Sequence, residues 1–198
     1  MKRVIQMSLA GLFFSLLLVG CQPYQYTGAV LEPPKEIADF TLPATSGDTF
    51  TLSDYQGKLV LLYFGYTYCP DVCPATLFQI RQAYEALGDQ AEDVQVVMIT
   101  VDPQRDTPEQ FGRYIANIHP SFVGLSTTDE ALLQQIAADF GVYFELEPPD
   151  PETGGYVVNH TASVFLIDRQ SRMLEVFMYG TSGQDMAADI RQVLKGSR

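Results

Sequence analysis

The sequence predicts an α/β fold: a mixed central sheet with helices on both faces, extended by a hairpin at its N-terminal side. Three observations lead there. Two continuous apolar runs, 59-LVLLYF-64 and 94-VQVVMITV-101, have the composition of strands buried on both faces. Segments with apolar residues at helical spacing alternate with them. The chain then ends on two further strands and a closing helix, an order that suits a doubly covered mixed sheet.

The first twenty residues stand apart from this pattern. Lys2 and Arg3 precede an almost wholly apolar run from Val4 to Val19, the layout of a secretory signal. The run ends in 18-LVGC-21, which resembles the lipobox of bacterial lipoproteins. That resemblance implies cleavage before Cys21 and attachment of lipid to its sulfur; an uncleaved anchor helix is the alternative. Under either reading the domain is membrane-anchored on the extracytoplasmic, periplasmic side. Residues 21–36 carry several prolines and no apolar period, so they read as a flexible tether. The expected organisation is therefore a signal peptide over 1–20, a tether over 21–36 and one domain over 37–198. A formal charge of −12 argues against nucleic acid and an anionic lipid surface as partners.

Within the domain, 37-IADFTL-42 and 49-TFTL-52 flank the turn-rich 43-PATSGD-48 and predict a hairpin. The strand 59–64 follows. Leu77, Ile80, Tyr84 and Leu87 then recur at helical spacing up to Gly88. After the second buried strand, Thr107 reads as an N-cap with Pro108 at the first helical position and Gln110 three past the cap. A short strand near 122–125 leads to a capping box of Thr127 and Glu130, which opens a helix ending at Gly141. The long polar segment 142–160 suggests a hairpin with a proline- and glycine-rich tip. It delivers His160 to the strand 163-SVFLID-168, and 173-MLEVFMY-179 and a last helix complete the domain.

Chemistry concentrates in 63-YFGYTYCPDVCPATL-77. With Cys21 assigned to lipid, Cys69 and Cys73 are the two thiols left in an oxidising compartment. Each precedes a proline, which disfavours helical geometry, so neither is expected inside a regular helix. Pro74 at the first helical position makes Cys73 the N-cap. The free amides and the helix dipole would then favour its thiolate, giving an activated, partly exposed pair. Such a pair can close a disulfide or bind a soft metal ion. A purely structural disulfide is the weaker reading, because so short a loop removes little entropy from the unfolded chain. Of the two histidines, His160 lies just before the strand 163–168, whereas His119 follows a helix and is expected at the surface.

The strand–helix order over about residues 37–197, with cysteines at an early strand–helix junction, resembles the thioredoxin fold. More specifically, 64-FGYTYCPDVCP-74, 101-VDPQRDTP-108 and 157-VVNHTASVFLID-168, in this order, resemble the Sco family. These are membrane-tethered thioredoxin-fold proteins that deliver copper during assembly of cytochrome c oxidase.

The resemblance implies that Cys69, Cys73 and His160 are copper ligands and that Cys69 and Cys73 are also the redox, disulfide-forming pair. The expected partners are the oxidase subunit with the binuclear copper site, a copper donor and thiol–disulfide partner proteins. Asp71 matches a motif position and reads as a surface carboxylate; Asp102 and Arg105 read as loop and cap residues. Asn159 stands where many members carry an acidic residue. The cis-proline that thioredoxin-like reductases set against their cysteines has no counterpart here, where Thr161 and Ala162 occupy the region.

Two other classes remain. A thiol–disulfide oxidoreductase without metal transfer fits the same fold. A peroxidase fits the opening 37–64, but the threonine three before its cysteine is replaced by Tyr66 or Pro70. The acidic 145-ELEPPDPE-152 loop, Tyr66 and Tyr68 are candidate docking surfaces.

Overall fold

The computed structural model describes residues 24–196. The expected signal peptide and Cys21 lie outside the described residues.

Among the described residues ten strands and four α-helices follow one another: β1 Ala29–Glu36, β2 Thr41–Pro43, β3 Thr49–Thr51, β4 Leu59–Gly65, α1 Val72–Leu87, β5 Val94–Thr100, α2 Pro108–Ile118, β6 Val123–Leu125, α3 Glu130–Asp139, β7 Phe144–Leu146, β8 Val158–His160, β9 Val164–Ile167, β10 Arg172–Phe177 and α4 Gly183–Lys195. Six of these strands form the central sheet in the order β1-β10-β9-β4-β5-β6. It is mixed, as expected: β4 runs parallel to β5 and antiparallel to β9. All seven residues of β4 are buried, which is why its sequence is continuously apolar and does not alternate. The predicted hairpin forms between β2 and β3, with Leu42 opposite Phe50 in the core.

This topology fixes where chemistry can occur. Antiparallel pairing sets Tyr63 of β4 opposite Val164 of β9, so the end of β4 lies beside the start of β9. Parallel pairing sets Gly65 opposite Thr100, so the end of β5 lies there too. The cysteine loop, the chain entering β9 and the loop after β5 therefore converge at one end of the central strands.

Several expectations are corrected. The stretch expected as tether is, from Ala29 onward, strand β1, paired antiparallel to the edge of β10 from Ala29↔Val176 to Glu36↔Arg172. Its missing apolar alternation reflects an edge position, where half-exposed residues and prolines are tolerated. Ahead of it, Tyr24 Oη donates to Asp189 at 2.6 Å. The α3 cap is Asp129, which accepts from Leu132 N at 3.0 Å, while Thr127 accepts from the Asp129 amide. The α2 cap is as read: Thr107 accepts from Gln110 N.

Candidate metal centre

Helix α1 starts two residues earlier than its prolines suggest. Its N-cap is Asp71, so Cys73 lies within the first turn and Pro74 follows it there. Proline is tolerated at that point because first-turn amides have no partner inside the helix. Cys73 is consequently neither a cap nor exposed: its side chain is fully buried under β4 and α1. Burial pushes its thiol up to about 12. The Tyr63 hydroxyl nearby opposes that shift, yet sits outside good hydrogen-bond geometry and leaves its own buried oxygen unpartnered. The free helix amide is spent on the other sulfur, with Cys73 N donating to Cys69 Sγ at 3.4 Å. Cys69 is half-buried and outside the helix, as expected, and both cysteines are free thiols.

His160 ends β8, the second strand of the predicted hairpin, and pairs with Phe144 of β7. Its Nδ1 lies 3.2 Å from the Thr161 carbonyl, to which an Nδ1–H donates. That leaves the Nε2 lone pair facing Cys73 Sγ at 3.3 Å. The rings of Tyr66 and Tyr63 stand edge-on to the imidazole, with centroids at 5.8 and 6.1 Å. Burial lowers the pKa of His160, partly opposed by its bond to the Thr161 carbonyl, so the ring is neutral at physiological pH.

The Cys69, Cys73 and His160 donor atoms all lie within 4.8 Å of one another. Among the described residues this is the one cluster of three or more such donors close enough to share an ion. A trigonal ion with metal–sulfur bonds of roughly 2.3 Å needs its sulfurs about 4 Å apart. Donor atoms within 4.8 Å of one another are compatible with that spacing. It opens to solvent between Cys69, Val157 and Tyr179 in a cleft of about 320 Å³.

Residues 29–195 match the SCO1/SenC family model. The chain belongs to the SCO1/SenC family. A SCO2-like protein of Rickettsia prowazekii is 35% identical to it over 147 residues, covering 74% of this chain and 71% of the relative. The structure of Bradyrhizobium japonicum ScoI with copper bound superimposes with a TM-score of 0.72 at 35% identity, over 80% of this chain and 99% of that one. Apo Sco1 from Thermus thermophilus gives 0.75 at 38% identity, over 87% and 99%. The thioredoxin-like Sco fold is thereby established for this chain.

The other residues singled out in the sequence stand outside the Cys69–Cys73–His160 cluster. His119 packs between Tyr84 and Phe122, away from the thiols. Asp71 is exposed, and Tyr68 is 51% exposed. Tyr66, expected as a docking surface, is instead 1% exposed, its hydroxyl accepting from Val158 N at 3.3 Å. Reading it as surface failed because it directly follows a buried strand and closes the floor of the site. Asp102 and Arg105 form a partly buried ion pair and do not cap α2.

Proposed function

We propose that this chain is a copper chaperone that binds one copper ion through Cys69, Cys73 and His160. The single observation that carries this is the gathering of two sulfurs and an imidazole within 4.8 Å, from segments 87 residues apart. Two thiolates suit Cu(I), and adding one imidazole makes a set that copper tolerates in both oxidation states. Zinc would prefer a fourth ligand, which none of the nearby described side chains supplies. The copper-bound ScoI relative supports the choice of metal.

The pocket's exposure supports a delivery role. A three-coordinate ion at the mouth of an open cleft can be attacked by an incoming ligand and handed on. The acceptor on this reading is the cytochrome c oxidase subunit that carries the binuclear copper site, with a separate copper donor loading the chaperone. Anchoring belongs to the same proposal: a signal over residues 1–20 and lipid on Cys21 would hold the domain on the extracytoplasmic face. No helix among the described residues is long and apolar enough to cross a membrane.

Metal loading is linked to redox state, since closing Cys69 and Cys73 into a disulfide removes both thiolates. A thiol–disulfide role toward the oxidase's cysteines is the second reading. It is favoured by half-exposed Cys69 with a helix amide on its sulfur, and opposed by the buried Cys73 with its raised pKa.

Copper titration of the reduced domain tests the first reading. Saturation at about one ion per chain is expected, with affinity falling at least about ten-fold in His160→Ala. Unchanged affinity in that variant would remove His160 from the ligand set. Disulfide reduction by metal-free protein, unaffected by His160→Ala, would favour the second reading.

A further inference from the structure

The loop after β5, 101-VDPQRDT-107, supplies no ligand, yet it touches both halves of the site. On one side, Asp106 is fully buried and accepts from the backbone amide and hydroxyl of Thr67, two residues before Cys69, and from Thr100 Oγ1. On the other side, Arg105 Nη1 donates to the carbonyl of Tyr156, four residues before His160, at 2.8 Å. Its Nε donates to buried Asp102. The other carboxylate oxygen of Asp102 accepts from Tyr156 Oη at 2.8 Å. The Arg105 guanidinium lies 3.5 Å from the centroid of Tyr156, 4.9 Å from Tyr68 and 5.7 Å from Tyr66. Tyr66 in turn stands edge-on to His160 and holds the amide of Val158.

We infer that Arg105 is a positioning residue: paired with Asp102, it clamps the β7–β8 hairpin so that the His160 imidazole stays over the sulfurs, while Asp106 fixes the thiol loop from the same turn. The physical case rests on geometry that a lysine cannot reproduce. A planar fork donates in two directions, to a carboxylate and a carbonyl, while its face stacks between aromatic rings. Its buried Nη2 finds no partner among the described residues, so the guanidinium is held there at a cost, as expected of a group retained for position. The hairpin needs such a tie. Beyond its three paired residues it continues into 147–157, a largely exposed tip organised by its own hydrogen bonds, such as Thr153 N to Asp150 Oδ1 at 2.7 Å. Without Arg105 the segment entering His160 loses its only guanidinium tie to the loop after β5 and keeps the β7–β8 ladder with its flanking backbone bonds, the Tyr66 hydroxyl and the single Tyr156–Asp102 bond.

The inference rests on the copper-ligand reading of His160, so its test has two arms. In reduced, metal-free protein, Arg105→Gln should speed amide hydrogen exchange in residues 156–160 at least about ten-fold. The amides of α1 and α4 should keep parental rates, and the His160 ring resonances should broaden or double. Arg105→Lys should resemble Arg105→Gln. Tyr156→Phe, which removes one hydroxyl and keeps the ring, should give a smaller acceleration in the same residues. That milder variant decides the matter if the Arg105 variants do not fold. With Cu(II) added, Arg105→Gln should keep sulfur-to-copper charge-transfer absorption while losing imidazole nitrogen hyperfine coupling. Parental exchange rates and ring resonances in Arg105→Gln, or acceleration spread evenly over the sheet, would overturn the clamp. A parent protein that takes up no copper overturns the ligand reading alone, because the first arm is read without metal.

Discussion

Glu175 and Asp189 are both fully buried, on β10 and α4, beneath the chain that leads into β1. Asp189 is filled by donors: Tyr24 Oη, Thr27 N at 2.8 Å and Gly28 N at 3.1 Å. Glu175 finds no donor for either oxygen, and a protonated Glu175 can itself donate toward Asp189. Burial, and then the neighbouring carboxylate, push its pKa from the ordinary 4.5 up to about 9. The folded state therefore keeps a proton that the unfolded chain releases. Its stabilising contribution is complete below 4.5 and is lost as pH rises toward about 9. Glu175→Gln, which keeps the shape and removes the charge, should raise the melting temperature at mildly alkaline pH and flatten its decline across this window. An unchanged pH profile in thermal melts would mean that Glu175 is ionised in the fold. Burial governs Cys73 in the same way. Its neighbouring prolines are legible in the chain, but a thiol beneath a helix is a property of packing.

At the scale of elements, helix ends show how far local signals reach. Thr107 and Pro108 specify the start of α2 because cap and helix are adjacent in sequence. The same logic misplaces the start of α1, where Pro74 fits the third helical position as well as the first. Tertiary contact decides other positions outright. Gly183, first residue of α4, is so close to α1 that a Cβ would lie 2.6 Å from the Gln79 carbonyl oxygen and 2.9 Å from the Ala83 amide nitrogen. Alanine is the better helix former by roughly 1 kcal/mol. Overpacking against a backbone that cannot step aside costs about 1–3 kcal/mol and should win. Gly183→Ala is thus expected to lower the denaturation midpoint in urea; a higher midpoint would show that α4 can move off α1.

For the whole molecule, the N-terminal boundary is the main revision. Beginning the domain at residue 37 would strip β1 from β10 and uncover Asp189 and Glu175. A buried carboxylate losing three donors, together with a bare sheet edge, should cost on the order of 3 kcal/mol and promote association. Comparing residues 24–198 with residues 37–198 by thermal melting and size-exclusion chromatography checks this. Equal stability and a monomeric short form would restore the tether reading up to residue 36. The convergence of three loops at one end of the central strands is also a property of the whole, since it depends on β4 lying between an antiparallel and a parallel neighbour.

By itself the sequence determined the alternation of strands and helices, the buried run of β4 and the β7–β8 hairpin, and it singled out Cys69, Cys73 and His160 as candidate ligands. Each is written in local periodicity, turn composition or side-chain type. Only the tertiary structure decided that Cys73 is buried, that Tyr66 is floor and not surface, that residues 29–36 are an edge strand, and that Arg105 reaches across to Tyr156. Those outcomes depend on which distant segment packs against a residue, and pairing across 50 to 160 residues leaves no mark on the local pattern of either partner.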